Sequence, residues 1–158
     1  VLCNKEGAGV LERAERLSVP TRVFTKKELF SPEFIDFVKA ESDFVVLAGF
    51  LLKVPDDLTR AFERSMVNIH PALLPKYGGK GMYGMNVHRA VVENKEKESG
   101  ITIHYVNENY DEGAIIFQKE VRIDPQDKPE DVAGKIHDLE QEYFPMIVEQ
   151  ELEKKNEG

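Results

Sequence analysis

The sequence lacks several features that mark particular classes of protein. Among its 158 residues there is no tryptophan and a single cysteine, Cys3. One cysteine excludes an internal disulfide and agrees with a reducing compartment. No apolar run approaches the roughly 20 residues that a transmembrane helix needs. The default expectation is therefore a cytoplasmic protein with no membrane partner.

Positive charge is scarce relative to negative charge. Lysine and arginine together number 21, aspartate and glutamate number 29, and the formal net charge is −8. A surface this acidic repels phosphate backbones, and no run of lysine and arginine supplies a local basic patch. We therefore predict no nucleic-acid partner.

The first residues are typical of the end of a strand. Val1-Leu2-Cys3 is followed at once by the turn cluster of residues 4–7, whereas strands usually span five or six residues. No repeat, low-complexity segment or interdomain linker follows. We therefore expect residues 1–158 to be a single domain whose N-terminal part is missing from this chain.

Strand and helix patterns alternate along the sequence. Short apolar or alternating runs predict strands at 22–24, 44–48, 65–70, 101–106 and 114–123. Helical periodicity and capping residues predict helices at 9–17, 31–40, 56–64, 85–98 and 129–153, the fourth ended by Gly100 and the last bent at Pro145. This order predicts an α/β fold with a Rossmann-like open twisted sheet and helices on both faces. The sheet should be mostly parallel, with antiparallel strands near the C-terminal end, where the 107–113 loop is too short for a crossover helix.

One stretch spells a nucleotide-binding fingerprint. Residues 79–84, Gly-Lys-Gly-Met-Tyr-Gly, match G-x-G-x-x-G. That motif requires a strand running directly into the first glycine, yet Pro71 and Pro75 separate it from the preceding strand. No acidic residue ends a strand about 20 residues later, where a ribose ligand belongs. We therefore interpret this glycine loop as a mobile loop near a binding site.

Asn68 and His70 stand out on the strand before that loop. Two residues apart, they point to the same face, and Pro71 stops the strand there. An amide is costly to bury unpaired, and ligands bind at the carboxyl ends of strands in open α/β sheets. A pair of hydrogen-bonded structural residues is an equally good interpretation. Taken singly, Asp111 is typical of a turn and His104 of a structural strand residue.

The segment N-I-H-P-A-L-L-P-K-Y at 68–77, with Gly79, resembles the signature of the folate-dependent formyltransferases. The similarity continues through 46–50, 88–90, 100–104 and 110–116 to Glu140 and 143–145, in the family's order. The K-Y-x-G continuation favours the branch that formylates glycinamide ribonucleotide. The family's first strand and its glycine- and serine-rich phosphate loop have no counterpart in this chain.

The resemblance implies an enzyme whose catalytic residues are Asn68, His70 and Asp111, with His104 supporting Asp111 or its loop. A formyl group would pass from the co-substrate 10-formyltetrahydrofolate to the amine of glycinamide ribonucleotide, a step of purine synthesis. Asn68 and a protonated His70 would stabilise the oxyanion, and Asp111 would hold the imidazole. No metal is implied.

Binding residues also follow from the resemblance. The folate pocket would be formed by Leu51, Leu52, Val54, Asn107, Tyr110 and Glu112. The nucleotide substrate would contact His137 and Glu140, although an ordinary solvated helix face explains that pair nearly as well. The partners would be small molecules, and the protein a monomer or homodimer.

Three alternatives remain open at this point. A formyltetrahydrofolate deformylase or an enzyme of the methionyl-tRNA formyltransferase type would share the signature. A noncatalytic folate-binding module would have the predicted folate pocket but would not catalyse formyl transfer.

Overall fold

The computed structural model describes residues 1–157, which divide into two compact units, the first from Val1 to Ser42 and the second from Asp43 onward. Within residues 1–157, no helix is both long enough and apolar enough to cross a membrane.

The first unit contains two short parallel strands and three helices. They are β1 (Leu2–Cys3), α1 (Gly9–Arg16), β2 (Arg22–Val23), α2 (Lys26–Leu29) and α3 (Pro32–Glu41). Ser31 caps α3, since the Phe34 N–H donates to Ser31 Oγ at 3.3 Å, which confirms the predicted start of this helix. The single turn α2 was not predicted, although Thr25 and Glu28 form a capping box around it.

The second unit contains a four-stranded sheet and three helices. They are β3 (Val45–Leu47), α4 (Asp56–Ala61), β4 (Met66–His70), α5 (Met85–Glu93), β5 (Glu98–Tyr105), β6 (Ile115–Arg122) and α6 (Pro129–Glu157). The strand order is β3-β4-β5-β6. Pro145 lies inside α6, which runs four residues further than predicted, to Glu157.

The sheet is mixed. Strands β3 and β4 are parallel, whereas β4 with β5 and β5 with β6 are antiparallel. The antiparallel pairing of the last two strands confirms the prediction from the short 107–113 loop. The antiparallel pairing of β4 with β5 was not predicted, because the connection between them is long enough for either direction.

Helix α5 ends earlier than predicted. It stops at Glu93, and Lys95 takes a left-handed conformation with φ 52°. Gly100 lies inside β5 and does not end the helix. A Cβ at Gly100 would lie 2.1 Å from the carbonyl oxygen of Lys119, so the glycine permits the close approach of β5 and β6.

The core of the second unit joins the sheet to its two longest helices. Val91 of α5 packs with Ile101 of β5, with Ile123 and with Val132 and Ile136 of α6. All five side chains are at most 7% exposed. This packing holds α5 and α6 against β5, and it thereby fixes the direction of the other side chains on both helices.

Gly113 should be indispensable to the loop between β5 and β6. A Cβ there would lie 1.6 Å from the carbonyl oxygen of Tyr105. We expect Gly113→Ala to lower the free energy of unfolding by about 1–3 kcal/mol, because the backbone must shift to admit the methyl group. Urea denaturation would measure this change.

Gly134→Ala is the matched control. Gly134 lies in α6, and a Cβ there would meet nothing within 4 Å. We expect this variant to be more stable than wild type by about 0.5–1 kcal/mol. An unaltered stability of Gly113→Ala would contradict the close contact.

Candidate active site

Three polar side chains meet around one cavity. Asn68 and His70 lie at the carboxyl end of β4, and Asp111 lies in the loop after β5. All three line a cavity of about 810 Å³. His70 is 4% exposed, so it faces this cavity from an almost fully buried position.

Asp111 contacts three separate parts of the second unit. Its Oδ1 lies 3.6 Å from His70 Nδ1 and 3.7 Å from His104 Nε2. Its Oδ2 accepts a hydrogen bond of 2.9 Å from the Gly79 N–H. Asp111 itself adopts a left-handed backbone with φ 56°, an uncommon conformation for a residue other than glycine. The carboxylate therefore connects β4, β5 and the start of the glycine loop.

His104 orients the amide of Asn68. The two residues are cross-strand partners, and Asn68 Nδ2 lies 3.2 Å from His104 Nε2. His104 Nδ1 lies 2.9 Å from the Tyr105 carbonyl oxygen and must donate to it, so Nε2 accepts from the amide. Burial lowers the pKa of His104, which favours this neutral tautomer. The closer partner of His104 is thus Asn68, and Asp111 is the more distant one.

The other ring nitrogen of His70 is also occupied. His70 Nε2 lies 2.7 Å from the carbonyl oxygen of Tyr77, to which it donates. The Tyr77 hydroxyl donates to Glu96 at 2.9 Å, and Lys76 pairs with the same carboxylate at 3.1 Å. Glu96 therefore holds the peptide segment whose carbonyl contacts His70. This clamp was not predicted, because Glu96 follows α5 in a polar stretch that gives no local signal.

Thr102 secures the segment between β4 and the glycine loop. It is fully buried, and its hydroxyl accepts from the Leu74 N–H at 3.0 Å and donates to the Ala72 carbonyl at 2.7 Å. Gln118 Nε2 donates to both Thr102 Oγ1 and the Leu74 carbonyl at 2.9 Å. A threonine in an apolar strand resembles any other β-branched residue, so the sequence did not reveal this role.

The residues predicted for the folate pocket divide between two cavities. Leu51 lines the large cavity, Leu52, Val54 and Asn107 line a smaller one of about 80 Å³, and Tyr110 lines both. The small cavity also shares Asn68 and Asp111 with the large one. Glu112 is exposed and lines neither of these cavities.

The residues predicted for the nucleotide lie on the same cavity as Asn68 and His70. His137 and Glu140 of α6 both line it, and His137 Nδ1 lies 3.6 Å from Glu140 Oε2. The glycine loop, residues 79–84, forms another part of the wall, and Gly79, Gly81 and Gly84 have positive φ angles. The loop is largely exposed, and its mobility stays a prediction.

The chain matches the family model described as Formyl transferase over residues 1–148. The chain belongs to the formyl transferase family. The kinship inferred from the 68–77 signature is thereby confirmed. No group of three or more His, Cys, Asp or Glu side chains able to hold a metal occurs within residues 1–157.

Individual relatives narrow the family further. The chain is 40% identical to the chloroplastic phosphoribosylglycinamide formyltransferase of Arabidopsis thaliana, with all of this chain and 58% of that protein aligned. It is 35% identical to phosphoribosylglycinamide formyltransferase of Bacillus subtilis, with all of this chain and 82% of that protein aligned. The chain therefore spans little more than half of the plant relative and most of the bacterial one.

A solved structure supports the fold. The crystal structure of phosphoribosylglycinamide formyltransferase from Bacillus halodurans superposes with a TM-score of 0.84 at 34% identity, over 98% of this chain and 80% of that one. The α/β fold predicted from the alternating pattern is confirmed by this match.

The Thr102 hydroxyl should be essential to the site's geometry. We expect Thr102→Val to lower the free energy of unfolding by about 2–4 kcal/mol, because it leaves the buried Leu74 N–H and Ala72 carbonyl without their partner. Thr102→Ser keeps the hydroxyl and should lose about 1 kcal/mol at most, for one methyl group. Chemical denaturation of both variants would test this, and equal losses would contradict the proposed role of the hydroxyl.

The buried neutral imidazole of His104 should make stability depend on pH. Its pKa is lowered from 6.5 in the folded protein, so the unfolded chain binds a proton first as pH falls. Stability should be complete above pH 6.5 and decline below it. We expect the melting temperature to fall as the pH drops below about 6.5, and to fall less in His104→Gln. An identical pH dependence in the variant would contradict this.

Proposed function

We propose that the protein transfers the formyl group of 10-formyltetrahydrofolate to the primary amine of glycinamide ribonucleotide. The observation that carries the proposal is the convergence of Asn68, His70 and Asp111 on one cavity in a chain of the formyl transferase family. Two side chains able to donate hydrogen bonds and one carboxylate are what an acyl transfer to an amine requires.

Asn68 supplies a hydrogen-bond donor that is already oriented. One of its two N–H groups donates a hydrogen bond to His104 Nε2, and the other is available to the substrate. When the amine attacks the formyl carbon, the formyl oxygen becomes an anion. In our proposal the free N–H of Asn68 stabilises that oxygen, and no reorientation is needed because His104 already holds the amide.

His70 supplies the second donor after an exchange of acceptors. In the structure its Nε2–H donates to the Tyr77 carbonyl, while Nδ1 faces Asp111. A developing oxyanion is a stronger acceptor than a neutral carbonyl. We propose that the substrate oxygen replaces the Tyr77 carbonyl at Nε2, and that the carboxylate of Asp111 supports the imidazolium through Nδ1.

Asp111 also lies where a proton must move. The attacking amine loses a proton and N10 of the folate gains one as the carbon–nitrogen bond breaks. A carboxylate that lines the cavity can pass that proton, directly or through a water molecule. Its third contact, from the Gly79 N–H, holds the carboxylate in place during this step.

The two substrates are assigned to the two sides of the cavity. We place the folate against Leu51, Leu52, Val54, Asn107 and Tyr110, and the nucleotide against His137 and Glu140. We further propose a cytoplasmic location and a monomer or homodimer with small-molecule partners only.

Removing the Asn68 amide should abolish most of the turnover. We expect Asn68→Ala in the full-length protein to lower kcat by roughly 100- to 1,000-fold, the usual effect of losing one oxyanion donor. The measurement is the formation of tetrahydrofolate that depends on glycinamide ribonucleotide. Asn156→Ala, at an exposed position of α6, is the matched control and should match wild type.

The same assay separates the alternatives. Equal turnover of 10-formyltetrahydrofolate with and without the amine acceptor would identify a deformylase. Binding of the folate without any turnover by the wild-type protein would identify a noncatalytic binding module. Either result would overturn the proposed transfer.

A further inference from the structure

His88 is a buried polar residue on the cavity wall that the proposed mechanism does not use. It lies in α5, is 6% exposed, and lines the same cavity as His70. Its neighbours on the buried side of α5, Val87 and Val91, belong to the apolar core. A histidine in place of a third apolar residue costs stability unless its ring nitrogens serve some purpose.

The two ring nitrogens of His88 are in different surroundings. Nδ1 is buried and has no hydrogen-bond partner. Because Nδ1 is enclosed and His88 lines the cavity, Nε2 is the ring nitrogen left to face it. An unpaired buried N–H is more costly than an unpaired lone pair, which places the proton on Nε2. The ring then presents one N–H donor to the cavity.

The ring is also held in its neutral form. Burial, and then the neighbouring His70, lower the pKa of His88. A protonated ring would require a second N–H, on the buried and unpartnered Nδ1. His88 is therefore an uncharged donor that stays a donor across the neutral pH range.

The position of this donor limits the group that it can recognise. Because His88 and His70 line the same cavity, a ligand atom at His88 Nε2 shares that cavity with the amine that reacts beside His70. A neutral N–H attracts an oxygen acceptor and does not attract an amine that still carries its proton. In glycinamide ribonucleotide, the oxygen nearest to the amine is the amide carbonyl, one methylene away.

We propose that His88 Nε2–H donates a hydrogen bond to the amide carbonyl of the amine substrate. This inference rests on the proposed function and extends it, because it makes His88 a specificity-determining residue that selects an amide beside the reacting amine. The bond orients the substrate and takes no part in the chemical step, so its loss should weaken substrate binding and leave kcat nearly unchanged.

Three substitutions of His88 in the full-length protein test this assignment. The amide nitrogen of Gln reaches the place of Nε2, the amide nitrogen of Asn reaches the place of Nδ1, and Phe removes both. We expect His88→Phe and His88→Asn to raise KM for glycinamide ribonucleotide about tenfold, and His88→Gln to stay within about threefold of wild type. KM for 10-formyltetrahydrofolate should not change in any of them.

The outcomes that overturn the proposal are distinct. If His88→Gln is as impaired as His88→Asn, or if KM for the folate rises instead, His88 does not bind the amide. Should the Phe variant not fold, the comparison of Gln with Asn still decides. A wild-type protein that does not formylate glycinamide ribonucleotide would refute the proposed function itself, a result visible before any variant is made.

Two further measurements test the assignment without an activity assay. The ¹⁵N shifts of His88 in the free wild-type protein should be those of a neutral ring protonated at Nε2, and protonation at Nδ1 would overturn the proposal. A thioamide analogue of the substrate is a weaker acceptor of similar shape. Wild type should bind the thioamide less tightly than the amide, whereas His88→Phe should bind the two compounds equally tightly. The same loss of affinity for the thioamide in both proteins would contradict a direct bond.

Discussion

The antiparallel pairing of β4 with β5 is the constraint on which the candidate site depends. It sets Asn68 opposite His104 and His70 opposite Thr102. A slip of one residue would turn each of these side chains to the other face of the sheet. The register therefore determines at once which histidine orients the amide and which hydroxyl holds the segment after Pro71.

Asp111 adds a second constraint that crosses the sheet. Its carboxylate lies within 3.7 Å of a ring nitrogen of both His70 and His104, and it accepts from the Gly79 N–H. A change in the glycine loop is thus coupled to the position of the carboxylate, and through it to His70. The Tyr77 carbonyl, two residues before the loop, accepts from His70 Nε2, so the chain on this side contacts both members of the His70–Asp111 pair.

The residues of the site differed in how well they could be predicted. Asn68 and His70 were marked by a specific signature and by a strand ending at Pro71, whereas Asp111 followed only from the resemblance; the structure places all three on one cavity. The contacts of Thr102 and Glu96 and the place of His88 on the cavity wall were not predicted. Thr102 contacts a residue 28 positions away, Glu96 contacts one 19 positions away, and His88 lines the cavity; no local pattern encodes such contacts. Glu112 followed the resemblance alone, and the structure leaves it exposed outside both cavities.

The sequence by itself determined the alternation of strands and helices, the antiparallel β5–β6 pair and the family, because periodicity, turn residues and a dense motif are local properties. The tertiary structure decided that Gly100 lies in a strand, because a side chain at this position would collide with the Lys119 carbonyl on the neighbouring strand. It also decided the direction of β5 beside β4, and so the contact of His104 with Asn68. Long-range pairing is chosen by packing of the whole unit, which no single segment of the chain contains.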